Sequence, residues 1–317
     1  MIGALIAIAP GPYVTIQDQG RRGWRRFGIA VAGAMDLDSL ALANALVANP
    51  PYAAALEFAH VGGTWEIATK ACRIAITGGS FEVWADGVAL APWRSHTLRY
   101  GQRLVIGGAR DAVWGYLAIA GSFDIMPRLG SSATHIRSAL GGINGCRLRE
   151  GDALPLRAAR LFVGAERQVA PPSRPPGPLR LVLGPQQEFF TPETVEAFLA
   201  STYRVTHRGD RMGMWLEGPK IAHARGYNVL SDGLVPGCVQ VPGAGQPVVL
   251  LMDCQTVGGY PKLGTIITAD LPRFAQIRPG GEVTFTAIDI EAAHQAYRHH
   301  HNMLTRTAQL IVDVPGT

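Results

Sequence analysis

The run Pro247-Val-Val-Leu-Leu-Met-Asp253-Cys-Gln255-Thr-Val-Gly258-Gly259-Tyr260-Pro-Lys262 places a carboxylate and an amide two residues apart where an apolar stretch ends. An apolar run of this kind reads as a buried strand, and alternate residues of an extended strand share a face. Asp253 and Gln255 would then project together. A carboxylate accepts an N–H and a side-chain amide donates to a carbonyl, so the two suit an amide or urea-like group. Gly258 and Gly259 lack a Cβ and let backbone N–H groups come close to a ligand. Tyr260 would close one side of such a pocket. The competing reading is structural: Asp253 and Gln255 satisfy loop backbone at a strand end.

Other polar residues stand near turns. Gln240 falls mid-strand in Cys238–Val241, and Gln246 lies between Gly245 and Pro247. Gln240 either lines the polar inside of a β-barrel, assisting Asp253 and Gln255, or faces outward on an alternating strand. Asp210 and Arg211 are adjacent charges beside Met212-Gly213. Arg211, oriented by Asp210, would stabilise developing oxyanion charge; alternatively the two form a solvent ion pair that contributes little. Asp18 and Arg21 pose the same choice, with Gly20 and Gly23 marking a tight turn. Asp36 reads better as a helix N-cap.

Several patterns lead nowhere. Adjacent side chains of His299-His300-His301 point in different directions on a helix, so the tract reads as a solvated helix end and no metal is expected. The Gly-rich pieces at 62–63 and 141–145 match neither GxxxxGK[ST] nor GxGxxG, and no GxSxG elbow occurs. The chain is therefore expected to hold no ATP or dinucleotide of its own.

The elements that must carry these residues are mostly strands. With 38 Gly and 22 Pro in 317 residues, too many helix breakers are present for a bundle. Hydrophobic residues at 47% exclude disorder and supply a large core. Short β-rich runs at 71–77, 81–83, 102–106, 114–120, 179–183, 238–241, 248–252, 265–268 and 282–287 are punctuated by Gly turns. Helical patterning is confined to 36–48, to 191–199 behind Thr191-Pro192, and to 291–301. Five prolines between Val169 and Pro178 mark a linker. The expected domains are therefore 1–168 and 179–317, joined by 169–178. The halves also echo one another: Thr15 to Gly23 resembles Thr206 to Gly213, and Tyr100 to Ile106 resembles Pro279 to Phe285.

The net charge of +5 is densest in Arg21-Arg22-Gly23-Trp24-Arg25-Arg26, but no nucleic-acid recognition module accompanies it. An anionic substrate or acidic partner suits it better. Four dispersed cysteines without a CxxC pair argue against a zinc ribbon and for reduced thiols in the cytoplasm. The apolar N-terminus lacks a basic flank and reads as a first strand, neither signal peptide nor membrane span.

Taken together, Thr15-Ile-Gln-Asp-Gln-Gly-Arg21, Gly28, Gly33-Ala-Met-Asp36, Asp210-Arg-Met-Gly213, Glu217-Gly218, Ser231-Asp-Gly233, Pro236-Gly237, Gln240-Val-Pro242, Gly245-Gln-Pro247 and Asp253 through Pro261 resemble the biotin-dependent carboxyltransferase family. That family also goes by allophanate hydrolase subunit 2 or the 5-oxoprolinase C subunit, and the likeness runs from about residue 10 to about 290. The chain departs from it at Ser132-Ala133, where the family often has Arg-Ser, and at Gly209, where it often has Ser. The resemblance implies a mainly β fold of two tandem cyclophilin-like β-barrels with a few short helices. It implies a member of a multi-protein complex that opens 5-oxoproline to glutamate with ATP held by partner subunits. A second implied activity is transfer of carboxyl from biotin on a separate carrier to urea or a related amide. A third is non-catalytic: sequestering a kinase inhibitor. Asp253, Gln255, Arg211 and Tyr260 are the expected catalytic residues. Gln240, Gln246, Gly258, Gly259, Asp210, Asp18 and Arg21 are the expected substrate contacts. No nucleic acid or membrane is expected as a partner, and homo-oligomerisation stays open.

Overall fold

The computed structural model of the chain describes residues 3–157, 164–174 and 176–315. The protein is mainly β, and four α-helices are found among the described residues. Two compact units form: Met1–Arg21, Ala32–Ser173 and Leu304–Thr317 make the first, Arg22–Val31 and Arg174–Met303 the second. One limit, Ser173/Arg174, falls inside the proline-rich stretch. The contiguous halves 1–168 and 179–317 differ from these units in two segments, because Arg22–Val31 and Leu304–Thr317 each belong with the other half of the chain. Proline marks where a chain cannot pair. Which core a ten-residue excursion joins is set by distant contacts, and composition carries no trace of them.

Among the described residues the first unit holds two large antiparallel sheets and a two-stranded ribbon. One runs Ala153–Pro155, Ala4–Pro10, Gly63–Ala68, Arg103–Ile106, Val83–Ala85, Val88–Leu90; the other runs Val14–Gln17, Ala55–Ala59, Trp114–Ile119, Ala71–Thr77, Ser95–Arg99. Leu5, Trp65 and Ile67 of the first meet Ile16, Phe58 and Ile74 of the second in one apolar core. Ala4–Pro10 largely alternates in burial, as a strand with one covered face should, whereas Ala55–Ala59 and Trp114–Ile119 are buried at every position. Over Trp114–Ile119 the second face is covered by helix α1 (Leu37–Leu46), which lies on it and on Ala71–Thr77. Asp36 caps α1 as expected, its Oδ1 accepting the Ser39 N–H at 3.1 Å. The expected strand at 81–83 is placed later, at Val83–Ala85, leaving Phe81 as a core residue against Phe58.

In the second unit one eight-stranded sheet runs Glu282–Val283, Tyr203–Asp210, Gly213–Glu217, Val248–Leu250, Cys238–Gln240, Lys262–Ile266, Leu179–Leu183, Phe285–Ala287. Its first and last strands are separated only by Thr284. A sheet whose two edges are neighbours in the chain must curl round, and this one is nearly a closed barrel. Helix α2 (Pro192–Ala200), capped by Thr191, stacks Phe198 on Phe285 with ring centroids 4.8 Å apart. Residues 265–268, expected as a strand, divide between the end of Lys262–Ile266 and a 3-10 turn leading into helix α3 (Leu271–Ala275). Helix α4 (Ile290–Gln309) contains the His299–His301 tract and outruns its expected end at 301. A strand follows, Val312–Val314, that pairs with Glu166–Gln168 of the first unit.

Candidate functional site

The loop after Val248–Leu250 departs from the extended geometry expected of it. Strand pairing stops at Leu250, and a turn follows in which the Cys254 N–H donates to the Leu251 carbonyl at 3.0 Å. The turn sends Asp253 inward, 6% exposed, and leaves Gln255 outside. The two do not share a face. Asp253 instead receives Arg211 Nε at 3.0 Å and Nη2 at 2.9 Å, while its own N–H donates to the Arg211 carbonyl at 2.8 Å. Arg211 is 1% exposed. Its carboxylate partner is thus Asp253, not the adjacent Asp210, whose Oδ1 accepts the Met212 N–H at 2.7 Å in the turn of the 203–217 hairpin. Neighbouring charges on a hairpin turn point apart, whereas the strand order brings the start of Gly213–Glu217 against the end of Val248–Leu250.

The other glutamines hold backbone. Gln246 forms a two-point lock on Gly218, accepting its N–H at 3.2 Å and donating to its carbonyl at 3.1 Å. Gln240, 1% exposed, donates to the Tyr260 carbonyl at 3.2 Å and so ties the loop down. Gly258 pairs with Asp232 and Val257 with Gly233 in a small ribbon. A Cβ on Gly258 would sit 2.7 Å from Leu234 Cδ1 and 3.2 Å from Gln240 Nε2, and one on Gly259 3.3 Å from the Val229 carbonyl. These glycines admit neighbouring protein atoms. Two polar groups remain: the Gln255 amide and the Tyr260 hydroxyl, both on exposed side chains and neither hydrogen-bonded among the described residues.

Sequence reasoning passed over three residues beneath this loop. Lys262, 4% exposed, donates from Nζ to Asp232 Oδ2 at 2.5 Å and to the Gly233 carbonyl at 2.8 Å. The Lys262 hydrogen bond first, and the Gly233 N–H second, hold the Asp232 carboxyl below its ordinary value. Gln186 accepts the Lys262 N–H at 2.9 Å and donates to Asp232 at 3.2 Å. A lysine opening an otherwise buried strand was the available signal for Lys262. Asp232 stands in the Ser231-Asp-Gly233 motif, which marked the resemblance without suggesting this contact, and Gln186 stands in a turn-rich segment that offers no signal.

Asp18 and Arg21 belong to the first unit. Asp18 accepts the Gly20 N–H at 2.8 Å, Ser131 Oγ at 2.6 Å and the Ser132 N–H at 2.6 Å. Arg21 donates to the carbonyls of Arg128, at 3.2 Å, and of Ala133. Both side chains pin the 128–134 loop, and both are more than nine-tenths buried.

With this geometry established, the chain can be set beside known proteins. Residues 27–287 match the carboxyltransferase domain, subdomain A and B. The chain belongs to that carboxyltransferase-domain family. It is 37% identical over 293 residues to the 5-oxoprolinase C subunit of Escherichia coli (strain K12), spanning 91% of this chain and 93% of that one. It is 33% identical to the 5-oxoprolinase C subunit of Haemophilus influenzae, spanning 94% and 95%. Among solved structures, the urea amidolyase of K. lactis superposes with a TM-score of 0.87 at 26% identity, over 96% of this chain but 20% of that one. Carboxyltransferase-family membership therefore rests on most of the chain, including the whole loop from Asp253 to Lys262.

Proposed function

We propose that this carboxyltransferase-domain chain is the C subunit of an ATP-dependent 5-oxoprolinase complex of the cytoplasm, opening 5-oxoproline to glutamate with partner subunits that bind ATP. The observation that carries this reading is the end-to-end match to the 5-oxoprolinase C subunit, over nine-tenths of both chains. On this reading the two units are tandem cyclophilin-like β-barrels, supported by the facing sheets of the first and the nearly closed sheet of the second.

At the site, the Gln255 amide carries a donor and an acceptor side by side. A lactam presents the complementary pair, so Nε2 donates to its carbonyl while Oε1 accepts its N–H. The Tyr260 hydroxyl adds a further donor or acceptor beside them. Asp253 and Arg211 act beneath the loop as a foundation. Gln240, Gln246, Asp210, Gly258, Gly259, Asp18 and Arg21 serve as framework. When Gln255 becomes Ala in the reconstituted complex, KM for 5-oxoproline is expected to rise about tenfold, the loss of a hydrogen-bonded pair of about 1–2 kcal/mol. An unchanged KM would remove Gln255 from the site.

The fold shared with urea amidolyase favours a second reading, carboxyl transfer from carrier-bound biotin to urea or a related amide. The ureido group of biotin presents the same N–H and C=O as a lactam, and the Gln255 amide fits it equally. Co-purification of the chain with its partners, followed by ATP-dependent assays with 5-oxoproline and urea side by side, separates the two. Turnover of 5-oxoproline without a streptavidin-reactive partner supports the first reading. Urea turnover with a biotinylated partner replaces it with the second. Recovery of a kinase inhibitor alone, with neither substrate consumed, replaces both with a regulatory role.

A further inference from the structure

The basic run Arg21-Arg22-Gly23-Trp24-Arg25-Arg26 holds a residue that the proposed function leaves without a task. Arg22–Val31 packs as part of the second unit although 142 residues separate it from Arg174. A 3-10 turn at Arg25–Phe27, closed by Gly28 at φ 80°, shapes the segment, and the Gly28 N–H donates to the Arg25 carbonyl at 2.9 Å. From this turn the Arg25 guanidinium reaches the loop that carries Gln255. Its Nη2 donates to the Leu234 carbonyl and, at 2.9 Å, to the Gln255 carbonyl, and lies 3.9 Å from Cys254 Sγ. Leu234 and Gln255 lie at one end of the two strands of the Asp232–Gly233/Val257–Gly258 ribbon. One guanidinium therefore ties the ribbon's strands together at that end, next to the peptide that bears the Gln255 side chain.

The guanidinium is only partly paired in this position. Arg25 Nη1 is buried with no hydrogen-bond partner among the described residues. A buried charged donor left unpaired opposes folding. Arginine suits the task because its planar fork presents several donors in fixed directions, which a lysine ammonium does not.

We propose that Arg25 is a positioning residue for Gln255: by holding the carbonyls of Gln255 and Leu234, it fixes the orientation in which the Gln255 amide meets the substrate. This rests on the reading that Gln255 binds the substrate amide. The test uses the full chain with its partner subunits and whichever of 5-oxoproline or urea the wild-type complex consumes. Arg25→Ala is expected to raise KM at least tenfold while kcat stays within about threefold. Arg25→Lys should recover part of the loss. Because Arg25 acts through the Gln255 side chain, the double variant R25A/Q255A should match Q255A alone in KM. An unchanged KM in R25A, or an additive loss in the double variant, overturns the proposal. If R25A does not fold, R25K against Q255A and R25K/Q255A makes the same comparison.

If the wild-type complex consumes neither substrate, it is the functional reading that has failed, and Arg25 is then judged by the loop itself. Burial holds the Cys254 thiol up to about 11 while the Arg25 guanidinium pulls it down, so thiol labelling would mix a charge effect with loop order, and amide exchange is the cleaner readout. In the intact chain, R25A should speed amide exchange over 253–258 at least tenfold. A rate equal to wild type would refute the positioning role.

Discussion

Arg211 and Asp253 illustrate how little a residue's neighbours in sequence say about its partner. Each looked like a reactive group, one for an oxyanion and one for an amide N–H. In the fold they close on one another with two hydrogen bonds, and both are nine-tenths buried. Burying both charges together is tolerable. Removing one leaves the other desolvated without compensation, a loss of about 3–5 kcal/mol. Asp253→Ala is accordingly expected to lower the urea midpoint by that equivalent, while Arg211→Met combined with Asp253→Leu should lose much less. A single variant as stable as wild type would show that the pair does not underpin the loop. The residue types were legible in the sequence. Their partnership was not, because it spans 42 positions and depends on which strands adjoin.

At the scale of elements, local chemistry was read well where it is local. Asp36 before α1 and Thr191-Pro192 before α2 announce helix starts through capping groups within three residues of the backbone they serve. Strand ends were less legible. Extended backbone was expected through Met252, but pairing stops at Leu250 because the adjacent hairpin strand begins at Gly213. The strand Ser95–Arg99 carries a further constraint. Burial holds the His96 imidazole below its ordinary value, against the upward pull of the Ala91 carbonyl and of Glu166. Its Nε2 lies 2.8 Å from that carbonyl, and Glu166 Oε2, also bonded to Arg94, lies 3.7 Å from Nδ1. Below about pH 6.5 the unfolded chain takes up a proton that the folded one resists. Stability should therefore fall as pH drops from about 6.5 through the lower folded value. A His96→Gln variant should show a shallower slope, by at most about 1.4 kcal/mol per pH unit for one proton. Parallel slopes for variant and wild type in chemical denaturation from pH 7 to 5 would contradict this.

Across the whole molecule, closure of the second unit's sheet depends on a short segment that sequence patterning read as one strand, 282–287. The segment breaks at Thr284 and supplies both ends of the sheet. Phe285, 3% exposed, anchors the closing strand against Phe198 and Tyr203. Phe285→Ala is expected to cost about 3–5 kcal/mol, read from denaturant unfolding followed by far-UV circular dichroism. A loss below about 1 kcal/mol would mean that closure rests elsewhere.

The sequence by itself determined the mainly β class, the capped helices and the family, because each follows from residue types within a few positions or from motifs kept in order. The tertiary structure alone decided which polar groups are engaged and which stay open. It turned Asp253 inward and Gln255 outward, and it brought Arg25 to carbonyls 209 and 230 positions away. Hydrogen-bond partners are chosen by strand order and chain crossing, and neither is written in the spacing of residues along the chain.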